Sequence, residues 1–433
     1  MELLALLLFA SIFILILYGY PVAFTLGGIS LLYAICFLDP SNFTALPPRI
    51  LGVMNNYVLL AVPLFIYMGI MLEKSGLAER LLETMAILFG KVKGGLAISV
   101  VIVGALLAAS TGIVGATVIT MGLISLPTML KRGYQPELAT GTIAASGTLG
   151  QIIPPSVVLV LLGSVLNVSV GELFAAAILP GVLLVVVYIL YILIFAKLYP
   201  NQAPVIPAEE IAAFKAHDFV RKVTLAFILP MLLILAVLGS IFLGIASPTE
   251  AAAVGAMGAT LLTIFQGKFN LKVLRSVMQE TTHLTSMVFV ILLGATTFSF
   301  VFREMEGDTY LVELIQASNL SPMVFLSLVM VIVFVAGFFI DFIEIIFIIV
   351  PVVAPIFQAY GVDLIWIGIL LAMNLQTSFL SPPFGFSLFY LKGVAPPSIT
   401  TSHLYRGIIP FVLIQLLFLV VVILFPEILF IWK

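Results

Sequence analysis

What limits this chain most is the recurrence, from one end to the other, of uncharged apolar runs of about 18 to 25 residues, the length a helix needs to cross ~30 Å of hydrocarbon. Runs bounded by charge, Gly or Pro give candidate spans near 2–18, 21–38, 57–72, 94–109, 113–130, 136–166, 172–196, 224–245, 249–265, 284–302, 322–336, 342–358, 363–391 and 408–430. Such a series excludes an ordinary soluble domain. Of 433 residues, 63% are apolar and 9% charged, against about 25% charged in soluble proteins. The lipid bilayer is the expected medium. A net charge of −2 gives no argument for a nucleic-acid partner, and the single Cys36 excludes an internal disulfide framework or a multi-cysteine metal site. The first twenty residues lack a basic leader and a small-residue cleavage site, so they read as a retained first span.

One segment, 199–222, stands apart: it holds three prolines, Glu209, Glu210, Lys215, His217, Asp218, Arg221 and Lys222, a set costly to place in lipid. It divides the chain into 1–198 and 223–433. Sliding the first part forward by 228 positions places Pro127 on Pro355, Gly133 on Gly361 and Pro154-Pro155 on Pro382-Pro383, which reads as an internal duplication. Duplicated halves are a signature of secondary transporters.

Cations give the orientation, because cytoplasmic loops collect Lys and Arg. With the N-terminus outside and the paired runs 94–130 and 322–358 taken as re-entrant hairpins, each half crosses five times. Fifteen of the eighteen Lys and Arg then fall inside, and Arg49, Arg303 and Lys433 fall outside. An odd number of crossings inverts the second half, so both termini are expected on the periplasmic side. The first hairpin then opens to the cytoplasm and the second outward. The fold expected is all-α and polytopic, with two inverted repeats, each carrying about five transmembrane crossings, one hairpin and one broken helix (136–166 and 363–391).

The middles of the hairpin runs are unlike their arms. The first holds Ala108-Ala109-Ser110-Thr111-Gly112-Ile113-Val114-Gly115-Ala116-Thr117 and the second Gly337-Phe338-Phe339-Ile340-Asp341-Phe342-Ile343-Glu344. A charge at mid-membrane is expensive unless it faces protein, water or an ion, which singles out Asp341. A structural hydrogen bond is its alternative role, and a helix cap that of Glu344. Just beyond each hairpin lie Gly147-Thr148-Leu149-Gly150-Gln151-Ile152-Ile153-Pro154-Pro155-Ser156 and Asn374-Leu375-Gln376-Thr377-Ser378-Phe379-Leu380-Ser381-Pro382-Pro383. Paired prolines remove two amide donors and clash with the preceding turn, so a helix must break there. A break at membrane depth is tolerated only where protein or a polar cavity satisfies the freed groups. Exposed carbonyls with Ser and Thr hydroxyls suit a small hard cation, and half-helix N-termini suit a carboxylate.

Other features carry less. His217, His283 and His403 are scattered and make no metal site. Glu73, Lys74, Glu79, Arg80 and Glu83 read as the solvated face of an amphipathic helix, while Glu304, Glu306, Asp308 and Glu313 offer an acidic outer patch to a soluble partner. No P-loop, dinucleotide fingerprint or nucleophile elbow is present, so neither ATP hydrolysis nor any other enzymatic activity is expected, and no cofactor. The energy source expected is an ion gradient. A membrane-embedded enzyme would need a second acid at the depth of Asp341, and the matching position is Ile113.

At Gly115-Ala116-Thr117, Gly133-Tyr134, Gly147 with Gln151 to Ser156, and Asp341 with Pro351 and Pro355, the chain resembles the large membrane subunit of tripartite ATP-independent periplasmic transporters, along essentially its whole length. It looks closest to the branch labelled for mannitol or chloroaromatic compounds. That resemblance implies a bacterial inner-membrane permease of the ion-transporter superfamily, working as an elevator. It also implies sodium coupling, a small four-helix membrane subunit and a periplasmic substrate-binding protein. Carried over by position, it implies sodium ligation by Ser110, Thr111, Gly112, Gly147, Gly150 and Pro154 on one side and by Asp341, Gln376, Thr377 and Ser381 on the other. Thr148, Gln151, Ser156, Asn374 and Gln376 are the polar residues expected to face a small organic-acid substrate. A stand-alone sodium-coupled carboxylate carrier of the same superfamily is the alternative.

Overall fold

The computed structural model describes residues 2–111, 114–215, 219–318 and 320–430, whose regular structure is entirely helical. The first part runs through α1 (Glu2–Leu17), α2 (Val22–Phe37), α3 (Leu46–Met54), α4 (Ala61–Lys74), α5 (Leu77–Leu88), α6 (Gly95–Thr111), α7 (Val114–Lys131), α8 (Pro136–Thr148), a 3-10 turn at Leu149–Gln151, α9 (Val157–Leu166) and α10 (Val170–Leu198). Short helices α11 (Ala208–Lys215) and α12 (Phe219–Val223) follow, the latter passing through a π turn into α13 (Leu229–Phe242). The second part continues with α14 (Pro248–Phe265), α15 (Leu271–Glu304), α16 (Gly307–Ala317), α17 (Pro322–Ala336), α18 (Phe342–Ala359), α19 (Leu364–Leu380), α20 (Phe386–Val394) and α21 (Thr401–Leu424). Eight helical stretches among the described residues are long and apolar enough to cross a membrane. The protein is a multi-pass membrane protein.

The 228-residue shift holds in the helices themselves. It carries α7 onto α18 end to end, starts α19 where α8 starts, and lands α1 and α2 within three residues of α13 and α14. Gly133 and Gly361 both take the left-handed conformation, φ 80° and 68°, which only glycine adopts without cost. Pro127 and Pro355 lie inside equivalent helices, and both Pro-Pro pairs contain cis bonds.

The halves are packed crosswise. Helix α2 lies along α15 and α14 along α4, the same pairing related by the repeat. Glycine makes this possible: a Cβ on Gly294 would stand 2.4 Å from the Ala23 carbonyl oxygen, and one on Gly255 would stand 2.6 Å from Met68 Sδ. The Tyr67 hydroxyl and Thr260 share a hydrogen bond of 3.0 Å between α4 and α14.

Three expectations change. Helix α15 starts at Leu271, well before the apolar run at 284, because Asn270 caps it and its charged first turns find partners, Glu280 pairing with Lys74 at 3.1 Å. Glu73 does not lie on a solvated face; it is half-buried and accepts a 2.8 Å hydrogen bond from Thr120 of α7. The third concerns segment 199–222, which does more than divide the halves. Gly94 and Gln135 donate backbone hydrogen bonds of 2.9 Å to Ala203 and Gln202, Ile206 donates to Gly90 at 2.9 Å, and the Tyr134 hydroxyl donates to Pro204. Arg132 holds both carboxylate oxygens of Glu210 at 3.2 and 2.5 Å, which keeps the Glu210 carboxyl below its ordinary value of 4.5. This segment is strapped to the base of the α6–α7 hairpin. His217 and Asp218 lie outside the described residues.

Candidate functional site

Each hairpin ends where a neighbouring helix breaks. The last turn of α6 reaches the 3-10 turn between α8 and α9, where a Cβ on Gly150 would stand 2.4 Å from the Ala108 carbonyl oxygen. Gly147 is as close to α7, its Cβ position lying 2.4 Å from Val118 Cγ2. In the second half Phe342, the first residue of α18, packs on Phe379 with ring centres 5.9 Å apart, and Phe339 packs on Phe384 at 5.2 Å. A hairpin whose tip stops against the middle of a crossing helix has itself gone only part of the way. Both hairpins are fastened by the same device, a first-arm glycine against a serine: a Cβ on Gly104 would meet Ser146 Oγ at 2.5 Å, and one on Gly337 would meet Ser378 Oγ at 2.1 Å. Helix α19 also lies against α8, the 3-10 turn and α9, so the two breaks adjoin.

The second tip is acidic. Asp341 is the N-cap of α18 and accepts from the Phe342 amide at 2.8 Å, while Glu344 reaches back to the Asp341 amide at 3.3 Å, completing a capping box. Such caps satisfy amide donors that a helix start leaves unpaired. They also gather two carboxylates within one helical turn at half-buried positions, where a cation would relieve their mutual repulsion. At the first tip the side chains of Ser110 and Thr111, and all of Gly112, lie outside the described residues.

Around the breaks the hydroxyls spend their protons locally. Thr148 donates to Ala145 at 3.0 Å, Ser156 to Gln151 at 3.0 Å, Thr377 to Met373 at 2.8 Å and Ser381 to Thr377 at 2.8 Å. Each oxygen keeps lone pairs in a buried setting, the property of a hard cation ligand. Pro154 lies between the 3-10 turn and α9. Two side chains stand out by contrast. Gln151 and Gln376 are buried, at 0% and 1% exposure, and neither amide nitrogen nor oxygen of either has a hydrogen-bond partner among the described residues. Leaving a buried polar group unpaired costs about 1–3 kcal/mol. Their oxygens fit a cation and their nitrogens a carboxylate. The half-helices α9 and α20 both begin without a side-chain cap, leaving amide donors at the breaks. Asn374 differs from these residues: its amide donates to Met330 of α17 at 2.7 Å and ties the second hairpin to its broken helix.

Sequence reasoning missed the aromatic surroundings of the second tip. Phe338, Phe339 and Phe384 form one run of ring contacts and Phe342, Phe379 and Phe386 a second, and Tyr390 lies against Gly115 of the first hairpin. The crowding of phenylalanine at 338–342 and 379–389 was the available signal. Among the described residues no group of three His, Cys, Asp or Glu could hold a metal ion; His403 caps α21 together with Thr400.

The family model for the DctM component of tripartite ATP-independent periplasmic (TRAP) transporters matches residues 9–428. The chain belongs to this family. Its similarity to named relatives runs nearly end to end. The DctM-type permease described here is 32% identical to the C4-dicarboxylate TRAP transporter large permease protein DctM of Vibrio cholerae, over 96% of this chain and 94% of that one. It is 28% identical to the sialic acid TRAP transporter large permease protein SiaM of the same organism, over 94% and 93%. It is 29% identical to the ectoine TRAP transporter large permease protein TeaC of Halomonas elongata, over 96% and 95%. These relatives are transport permeases and not enzymes. The crystal structure of the Alcanivorax borkumensis YdaH transporter, described as having an unusual topology, superposes with a TM-score of 0.66 over 96% of this chain and 99% of that one at 17% identity. That likeness concerns the fold.

Proposed function

We propose that this permease imports a small organic acid by sodium-coupled secondary transport, as the large subunit of an assembly with a small four-helix membrane protein and a periplasmic binding protein. The observation that carries this reading is the meeting of two hairpin tips with two adjoining helix breaks, where hydroxyl lone pairs, a pair of carboxylates and two unpartnered carboxamides are gathered in one buried zone. Sodium would be held at the second tip by Asp341, with Thr377, Ser381 and the oxygen of Gln376. Gly147, Gly150 and Pro154 supply backbone carbonyls toward the first. A bound cation draws these groups together and offsets the carboxylate charge. The substrate carboxylate would then take donors from Gln151 and from the uncapped starts of α9 and α20. Inward passage would move both hairpins with their broken helices past a frame made by the crosswise pairs α2–α15 and α4–α14. In this reading 1–198 and 223–433 are inverted repeats joined by a cytoplasmic segment, both termini are periplasmic, and the host membrane is the bacterial inner membrane.

The test is uptake of labelled succinate, N-acetylneuraminate and ectoine into proteoliposomes holding the permease, its small subunit and its cognate binding protein, with and without an inward sodium gradient. Uptake of one of them that requires both sodium and the binding protein is expected. Sodium-driven uptake that ignores the binding protein would identify a stand-alone carrier, and uptake indifferent to sodium would sink the ion-site assignment.

A further inference from the structure

A cavity of about 410 Å3 opens between α3, the end of α9, the last turns of α15 and the far half of α18. Two cations that the charge distribution puts outside, Arg49 and Arg303, both line it, and no acidic residue does. Each is steadied without being neutralised outright. The Arg49 guanidinium sits 5.0 Å over the Phe300 ring, a contact that orients a cation and keeps its charge. Arg303 meets Asp308 through Nε at 3.4 Å and is 54% exposed. The inner end is lined by Phe347 and Pro351, on the helix that starts at Asp341.

We propose that this cavity is an outer anion-capture site, which concentrates and briefly holds a small organic anion, a carboxylate first of all, on its way to the hairpin tips. The inference rests on the reading of the chain as an organic-acid importer with this face outward, and it supplies the cationic recognition that the tips lack. Low-dielectric walls carrying one sign of charge focus the field and raise local ligand concentration by roughly 10- to 1000-fold.

The test needs no knowledge of the substrate. The sole cysteine, exposed Cys36, is replaced by serine, and Ser299→Cys is introduced in the cavity wall. Right-side-out vesicles carrying the permease and its small subunit are treated with sulfonatoethyl or trimethylammonioethyl methanethiosulfonate, each rate being normalised to free thiol. The anionic reagent should be favoured, and Arg49→Gln with Arg303→Gln should lower the anionic-to-cationic ratio about tenfold. Lysine at both positions should restore it, and raised salt should erode it. An unchanged ratio in the double glutamine variant overturns the proposal. So does failure to label Ser299→Cys from outside, whether or not Asn167→Cys at the mouth reacts. Uptake in the same vesicles, supplied with the cognate binding protein and an inward sodium gradient, separates the two readings: sodium-driven uptake with no charge-dependent ratio removes the capture site alone, and an intact ratio without uptake counts against the carrier.

Discussion

The hairpin of the second half carries two carboxylates at its tip and closes on an aromatic break; the hairpin of the first half carries none there and closes on an amide and a hydroxyl. The backbones match. Yet under the 228-residue shift Asp341 falls on Ile113 and Glu344 on Ala116, while Gln151 falls on Phe379 and Ser156 on Phe384. The prolines at 127/355 and 154–155/382–383, the turn glycines Gly133 and Gly361, and the length of the second hairpin arm are shared, because they shape base and break, and side-chain chemistry diverged at the tips and breaks themselves. The two sites are therefore expected to do unequal work, with the charged half of the coupling on the second.

The largest expected effect breaks that comparison at Asp341. Asparagine caps a helix about as well as aspartate, so Asp341→Asn keeps the start of α18 and removes only the charge. Sodium-driven uptake should fall roughly 10- to 100-fold, since hydrogen bonds and contacts to a charged group are worth about 1.5–3 kcal/mol. Initial rates across a sodium titration check this; an unaltered sodium dependence would leave Asp341 as a cap and nothing more.

A middle-sized effect compares the breaks at matched positions. Gly150 corresponds to Ser378, but a side chain at Gly150 would run into a backbone carbonyl of α6, whereas the Ser378 side chain is already accommodated, set against Gly337 and bonded to Leu375 of its own helix. Gly150→Ala should cost about 1–3 kcal/mol by overpacking, and Ser378→Ala about 0.5–1.5 kcal/mol for a lost hydrogen bond. Thermal unfolding in detergent ranks them, and equal losses would contradict the packing difference.

The smallest effect lies at the hairpin bases. Arg132 corresponds to Tyr360; the former grips Glu210 of the linking segment, and the latter donates to Leu320 within its own hairpin. A half-exposed ion pair contributes about 0.2–1 kcal/mol. Because the Glu210 carboxyl is held below its ordinary 4.5 by the Arg132 hydrogen bond, this contribution is present above that pH and is lost as pH falls through the depressed value. The stability difference between the native protein and Glu210→Gln should shrink on acidification; a difference that grows would contradict the pair.

The spans, the internal repeat and the two breaks were legible because each is written locally: apolar length, proline pairs and recurring glycine need no knowledge of neighbours. The ends of α15 and α21 were not. Their first turns are polar, and what keeps Leu271 to Glu280 helical is an Asn270 cap and the distant partner Lys74. Glu73 was misread for the same reason, since Thr120 comes to it from the hairpin. In the site, sequence marked Gln151 and Gln376 as polar but could not separate them from Asn374, which resembles them in chemistry and differs only in having found Met330. The cavity at Arg49 and Arg303 was invisible because four elements distant in sequence assemble it.

The crosswise pairing of α2 with α15 and α4 with α14 has a consequence for how the protein is made. When the ribosome has finished α2, its partner lies some 250 residues ahead, which at about 5–20 residues per second is on the order of ten to fifty seconds of synthesis. During that interval the small-residue face around Ala23 and Gly27 has only lipid, or an insertion factor, against it. The first half thus waits in the membrane for a surface that only its twin can supply, and a nascent chain cut short before α15 leaves behind an unfinished half for quality control to remove.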